Sequence, residues 1–231
     1  MKRFWSETDV LQAEGGWQVT LDGRAVKTQA LNPQIVPSRA LAEAMAAEWS
    51  AQGEDIDPRS FPLRDLTDFS IDRVASGEED AVSKALAFAE TDTLCYRAAP
   101  GEALARRQDT IWEPLVTALE SRENIAFERV AGIVHARQPD ATMAALRRQL
   151  DELDPFTLAA TLTLASLAAS LCVALNALED GADPAALWNA ANLEEDMQAE
   201  IWGRDAEAEA VREEKKQAFL TAFRFLELLK A

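Results

Sequence analysis

The 231 residues (25.3 kDa) suit one or two domains and can bury a sizeable core without disulfide or metal staples. Hydrophobic residues make up 48% and charged residues 27%, a globular rather than a disordered mixture. Forty acids against 23 bases leave a net charge of −17, a field that repels phosphate backbones and anionic lipid and so disfavours nucleic acid and membrane surfaces as partners.

The first 37 residues read as strands and turns. Gly15-Gly16 breaks the chain, Trp17, Val19 and Leu21 then alternate with Gln18 and Thr20, and Val26 with Lys27-Thr28 continues beyond Asp22-Gly23. Asp-Gly between alternating segments predicts a hairpin, because a tight primed turn needs positive φ. Ile35-Val36 before Pro37 predicts one more short strand. Ser38 is a natural helix N-cap, and Leu41, Met45 and Trp49 recur on one helical face as far as Gln52-Gly53. Residues 55–62 are turn-rich; 63–74 and 78–89 read as helices parted by Ser76-Gly77. Residues 91–97 fit either a helix extension or the start of a connection.

Residues 102–120 form a long helix with Pro114 inside it, which predicts a kink or break near Trp112-Glu113. Residues 125–135 are apolar and β-branched enough for one or two short strands. Four helices follow over 140–150, 155–178, 184–202 and 205–229; Asp154-Pro155 and Asp183-Pro184 each place an acid before a first-turn proline. The expected fold class is α+β: a small β-rich N-terminal domain over 1–37, with a flanking helix to about 60, then a larger, mainly helical domain over 61–231.

Residues 155–178 hold no charge and are long enough to span a bilayer at ~20 residues. Dilution by Ala, Thr, Ser and Asn176, and acidic flanks without Lys/Arg asymmetry, favour a buried central helix instead. Cys95 and Cys172 form no C-x-x-C motif and suit packed free thiols in a reducing cytosol, a disulfide being the alternative. Met1-Lys2-Arg3-Phe4-Trp5-Ser6-Glu7 lacks the apolar run of a signal peptide, so a cytoplasmic location is expected.

Chemistry-bearing motifs are few. Of nine glycines only Gly15-Gly16 are close neighbours and no Lys-Ser/Thr follows, so P-loop and Rossmann signatures are missing. A single histidine rules out H-E-x-x-H and zinc-finger ligand sets, and no serine sits in G-x-S-x-G. His135 could pair with Cys95 or Cys172 as a nucleophile dyad, but its neighbours Ile133 and Val134 favour a packed or surface histidine. Burial of Cys172 in the uncharged helix would raise its pKa and silence it. No catalytic residue, metal ligand or cofactor is assigned. An enzyme using paired carboxylates of the helical domain stands as one alternative function, and a permanent structural subunit as another.

Charge is uneven along the chain. Residues 1–100 carry 10 bases and 17 acids, 101–150 seven of each, and 151–231 six bases and 16 acids. Between 193 and 214 nine acids face only Arg204 and Arg212. Either this is a solvated helix surface, or it is a recognition surface for a basic or partly folded protein. On one continuous helix Trp188, Ala191, Glu195, Ala199 and Trp202 would share a stripe, with Glu194 on the adjacent line beside Leu187, Met197 and Ile201. An acid there sits at the rim of a core or is a functional carboxylate flanked by aromatic anchors. The six tryptophans are spread over both halves and form no base-stacking platform.

The segments Arg3-Phe4-Trp5, Leu21-Asp22-Gly23-Arg24-Ala25-Val26-Lys27-Thr28, Val36-Pro37-Ser38-Arg39-Ala40-Leu41-Ala42 and Glu48-Trp49-Ser50-Ala51-Gln52-Gly53 form a set. It continues with Glu90-Thr91-Asp92-Thr93-Leu94-Cys95-Tyr96-Arg97, Arg107-Gln108, Trp112-Glu113-Pro114, Leu193-Glu194-Glu195, Gln198 and Trp202-Gly203. On these the chain resembles, over nearly its whole length, the F-type ATP synthase assembly chaperones that act on the alpha subunit in mitochondria and alpha-proteobacteria. Two positions depart: Glu113 stands where the family often has Asp, and Thr67-Asp68 where it often has Asn-Thr. The resemblance implies a β-rich domain joined to a helical one, and a chaperone that works without nucleotide hydrolysis. Its partner would be the unassembled alpha subunit, held until the beta subunit replaces the chaperone. It also implies an important acid in the Leu-Glu-Glu segment, Glu194 or Glu195. The expected partner-binding residues are Glu194, Glu195, Gln198, Trp202 and Trp188.

Overall fold

Two consecutive residues with positive φ, Asp22 (49°) and Gly23 (76°), close the hairpin that their sequence predicts and set Leu21 opposite Arg24. The structure, a computed structural model, describes residues 2–132, 135–203 and 205–231. Strands β1 (Thr8–Ala13), β2 (Gly16–Leu21) and β3 (Arg24–Ala25) form an antiparallel sheet in that order. Gly15 (φ 88°) is thus a hairpin turn rather than a mere break, and β1 precedes it. Gly16 has its own reason: a Cβ there would lie 2.2 Å from the Val36 carbonyl oxygen. That close approach lets Trp17 and Val36 exchange both backbone hydrogen bonds, at 2.9 and 2.8 Å, which realises the short strand expected at 35–36 as a bridge.

Helix α1 (Arg39–Ser50) starts as predicted, with the Leu41 N–H donating to Ser38 Oγ at 3.1 Å, and buries Leu41, Ala42 and Met45 on its packed side. Its far end carries an aromatic series in which Trp5 meets Trp49 at 5.1 Å and Trp49 meets Phe61 at 4.6 Å. Helix α2 (Pro62–Phe69) runs on through a π turn over Ser70–Val74. The Glu48 carboxylate receives the otherwise orphan N–H groups of Leu63 and Arg64, at 2.8 and 3.0 Å. Asp68 and Asp72, one turn apart, hold the loop before Val36. Asp68 accepts from Gln34 Nε2 (2.5 Å) and the Gln29 N–H (3.2 Å); Asp72 accepts from Thr28 Oγ1 (2.7 Å), Asn32 Nδ2 (2.9 Å) and the Ala30 N–H (3.1 Å).

That loop forces Leu31 into the left-handed region (φ 68°) with 73% of its surface exposed. Left-handed backbone costs a leucine about 1 kcal/mol and an asparagine less. Leu31→Asn is therefore expected to raise the unfolding free energy by about 0.5–1 kcal/mol in urea titration. A loss of stability would mean that Leu31 makes contacts this geometry does not explain.

The chain divides into two compact units. The first takes the residues up to Asp80, Asp154–Ala160 and Thr221–Ala231. It therefore runs past residue 60, because α2 is tied to the 28–34 loop by Asp68 and Asp72. Its core holds Val19, Leu21, Val36, Leu41, Met45, Phe61 and Leu63, and Phe156 stacks on Phe225 at 6.5 Å.

The second unit, Ala81–Leu153 and Thr161–Leu220, is mainly helical. Its elements are α3 (Ala81–Glu90), a 3-10 turn (Thr93–Cys95), β4 (Tyr96–Arg97), α4 (Ala103–Glu123), β5 (Val130–Ala131), α5 (Asp140–Asp151) and α6 (Pro155–Ala168), whose first turn belongs to the other unit. Then come α7 (Leu171–Asn176), α8 (Pro184–Ala191), α9 (Leu193–Trp202) and α10 (Ala206–Lys230). The result is the expected α+β class. Asp154 and Asp183 cap α6 and α8 as predicted, through the N–H groups of Phe156 (2.9 Å) and Ala185 (2.8 Å).

Several helix boundaries differ from expectation. α4 passes through Pro114 without a break and stops at Asn124, which adopts φ 52°. One of the one or two short strands expected over 125–135 is present among the described residues, β5, paired in parallel with β4; Ile133 and Val134 lie outside the described residues. Arg129 donates to Glu113 Oε1 (2.8 Å) and Glu120 Oε2 (3.0 Å), while Arg97 donates to Glu113 Oε2 (2.9 Å), tying both short strands to α4. The apolar run 155–178 is two helices, broken at Ala169 (φ 47°). Among the described residues no helix is long and apolar enough to cross a membrane. The stretch 184–202 is likewise two helices, parted at Asn192, whose Nδ2 donates to the Trp188 carbonyl at 2.8 Å.

Candidate functional site

Helix α9 is built the wrong way round for a surface helix. Of its side chains only Leu193 is buried, while Ile201 (61%) and Trp202 (77%) stand in solvent at its last turn. Its inward grip is polar. Gln108 on α4, fully buried, donates to Glu194 Oε1 at 2.7 Å and accepts the Ala98 N–H at 2.8 Å. Arg107 clasps Glu200 with two parallel bonds of 3.0 and 2.7 Å. Arg212 on α10 meets Asp196 at 2.6 Å, and that hydrogen bond pushes the guanidinium pKa above its ordinary value. Gly203, at φ 89°, then ends the helix and turns the chain into α10.

Between α9, the start of α10 and the α6–α7 break lies an open cavity of about 960 Å³. Glu194, Glu195, Gln198 and Trp202 line it together, with Val211, Arg212 and Lys215 from α10. Four of the five residues expected at a partner surface are therefore brought to one place. Trp188 is not among them. It is 2% exposed, packs on Phe219 at 5.5 Å, and lines only a smaller cavity of about 480 Å³ on the other side of α9. The expected Trp188–Trp202 stripe required one continuous helix, and the break at Asn192 rotates the two tryptophans apart.

Thr93, Ala168 and Ala169 line the other side of the main cavity. Thr93 donates twice to the Ala169 carbonyl, from N (3.1 Å) and Oγ1 (2.9 Å), fixing the left-handed residue at the helix break. Behind it the fully buried Asp92 carboxylate accepts from the Leu94 N–H (3.0 Å) and the Cys172 N–H (2.8 Å), with further hydrogen bonds from Ser170 and Leu171. Burial pushes the Asp92 carboxyl up to about 6 against the pull of those donors. Sequence reading missed Gln108, Arg107 and Asp92 as builders of this site. Arg107-Gln108, Asp92 within Glu90–Arg97, and Leu193-Glu194-Glu195 all carry the family resemblance, and that shared membership was the available signal.

The groups considered for catalysis are occupied elsewhere. Cys95 and Cys172 are free and buried, and desolvation raises both thiols far above their ordinary range. His135 meets the Tyr96 hydroxyl through Nδ1 at 3.0 Å and Glu90 through Nε2 at 3.6 Å, rather than either thiol.

The chain thus combines a β-rich unit with a helical unit that carries an acidic groove beside an exposed tryptophan. Residues 2–120 match the ATP12 chaperone protein family, and the chain belongs to that family. Among solved structures it is similar to Atp12 from Paracoccus denitrificans, at 34% identity and a TM-score of 0.93, covering 99% of this chain and 98% of that one. An aspartate-to-lysine mutant of P. denitrificans Atp12p matches at 34% identity and 0.93, over 99% and 97%. The Agrobacterium tumefaciens protein Atu1473 matches at 36% and 0.93, over 99% of this chain and 86% of that one.

Proposed function

We propose that the protein is an assembly chaperone of the F-type ATP synthase: it holds the unassembled alpha subunit and releases it to the beta subunit, without hydrolysing nucleotide or catalysing another reaction. It would work in the bacterial cytoplasm, as its eukaryotic relatives would in the mitochondrial matrix. The observation that carries the reading is helix α9, whose Glu194 and Asp196 are held by Gln108 and Arg212 while Glu195, Ile201 and Trp202 are exposed, with Glu195 and Trp202 lining an open groove. An exposed aromatic within an acidic rim is the make-up of a binding hot spot, with the charges setting orientation and specificity. Family membership supports the chaperone role, and the sequence resemblance supplies the client.

The test uses purified alpha and beta subunits. The wild-type chain should bind alpha, and added beta should displace it; failure to bind, or a stable ternary complex, would refute the handover. Glu195 is exposed, so Glu195→Lys should leave stability within about 0.5 kcal/mol yet weaken alpha binding by about tenfold or more. Glu194→Lys should also lose its bond to Gln108. If both reversals bind alpha like the wild type, the groove is not the client site.

A further inference from the structure

The three-stranded sheet of the first unit has an open edge. Trp17 gives both its backbone groups to Val36, and the Val19 carbonyl accepts from the Val26 N–H at 2.9 Å, so these β2 residues turn their backbone groups away from β1. Their cross-strand partners Gln12 and Val10 must therefore point their own N–H and C=O groups outward past β1, and so must Thr8 two residues earlier. Among the described residues no other backbone group bonds to these three outward positions. One side-chain contact does: Asp9 Oδ1 accepts the Val10 N–H at 2.7 Å.

Exposed edges are ordinarily guarded by charged side chains, Lys above all, by Pro or by bulges. β1 has no Lys, Pro or bulge, and its one charged residue is Asp9. From residue 4 to residue 23 the chain contains no Lys, Arg or Pro, while Glu7, Asp9, Glu14 and Asp22 supply negative charge. Leu11, midway along the strand, is 45% exposed. We infer that this edge accepts an extended segment of a partner protein as a further strand, and that the segment carries Lys or Arg at alternate positions. Asp9 plugs the edge until such a segment arrives. Its carboxylate then exchanges the Val10 N–H for the incoming cation, and the freed N–H donates to the new strand's carbonyl. A second copy of the chain is disfavoured as the occupant, because self-pairing would bring two acidic edges together.

The full chain is titrated with an end-blocked peptide alternating valine and lysine, and with a valine–glutamate counterpart, by calorimetry and amide hydrogen exchange. The lysine peptide should bind and protect the outward amides of Thr8, Val10 and Gln12; the glutamate peptide should not. Val10 donates nothing to β2, so Val10→Pro removes the docking donor while sparing the β1–β2 ladder, and should weaken binding by about tenfold or more. Asp9 is exposed, so Asp9→Lys tests the same site with no threat to folding and should reverse the preference toward the glutamate peptide. Glu195→Lys should change none of this, which separates the edge from the groove. Peptide binding that survives Val10→Pro, a lysine preference that survives Asp9→Lys, or self-association that protects the same amides would each overturn the inference.

Discussion

Asp92→Ala should lower the unfolding free energy by about 3–5 kcal/mol, because it strips the acceptor from several buried donors at once. The N–H groups of Leu94 and Cys172 lie 3.0 and 2.8 Å from its oxygens, and neither has solvent to turn to. Asp92→Asn keeps the shape and isolates the charge. In the folded protein this carboxyl is pushed up to about 6, against 3.8 as the ordinary value. Between those limits the folded chain holds a proton that the unfolded chain has released, so stability falls as pH rises through about 4 to 6 and is level above. At 1.36 kcal/mol per pH unit the fall amounts to about 3 kcal/mol, and it should be missing from Asp92→Asn. Urea unfolding of both proteins at several pH values measures the difference. Parallel profiles would show that Asp92 does not titrate in this way.

Trp112→Ala is the other large effect. The side chain is fully buried on α4, and its Nε1 donates to the Ala190 carbonyl at 2.7 Å, in the last turn of α8. Truncation should cost about 3–5 kcal/mol through the cavity, with about 1 kcal/mol more for the lost hydrogen bond. Trp112→Phe restores most of the volume without the donor and should cost about 1–2 kcal/mol. The gap between the two variants in urea midpoint separates packing from hydrogen bonding. Equal losses would mean that the indole N–H carries the whole contribution.

Features written in turn and cap chemistry were legible in the sequence. Asp22-Gly23, Ser38, Asp154 and Asp183 act locally, through positive φ or a side-chain oxygen two or three residues from its donor, so nothing distant can overrule them. The breaks at Ala169 and Asn192 were not legible. Neither position is Gly or Pro; Ala169 takes its left-handed turn because Thr93 and Asp92, remote in sequence, bond to the chain around it. β1 was not placed within the strands and turns expected over 1–37, because Leu11 stands exposed on the face of Asp9 while Gln12 falls on the face of Thr8 and Val10, which gives no clean alternation. At the candidate site, acids set beside large apolar residues marked Glu194, Glu195 and Trp202, and the family resemblance added Gln198. Trp188 was carried along by a helical period that the break at Asn192 interrupts. Gln108 had no local mark, since a buried glutamine is informative only once its partner on another helix is known.

The first unit is assembled from three separate stretches of chain, and the third, Thr221–Ala231, is synthesised after the other two. Phe225 cannot stack on Phe156, nor can Ser38 Oγ donate to the Leu228 carbonyl, until that third stretch has been made. The segments made first must therefore wait with part of their apolar surface uncovered, whereas domains generally fold in the order of their synthesis. For this chain the amino-terminal sheet and its helix reach their final packing only after the carboxyl-terminal helix has been completed.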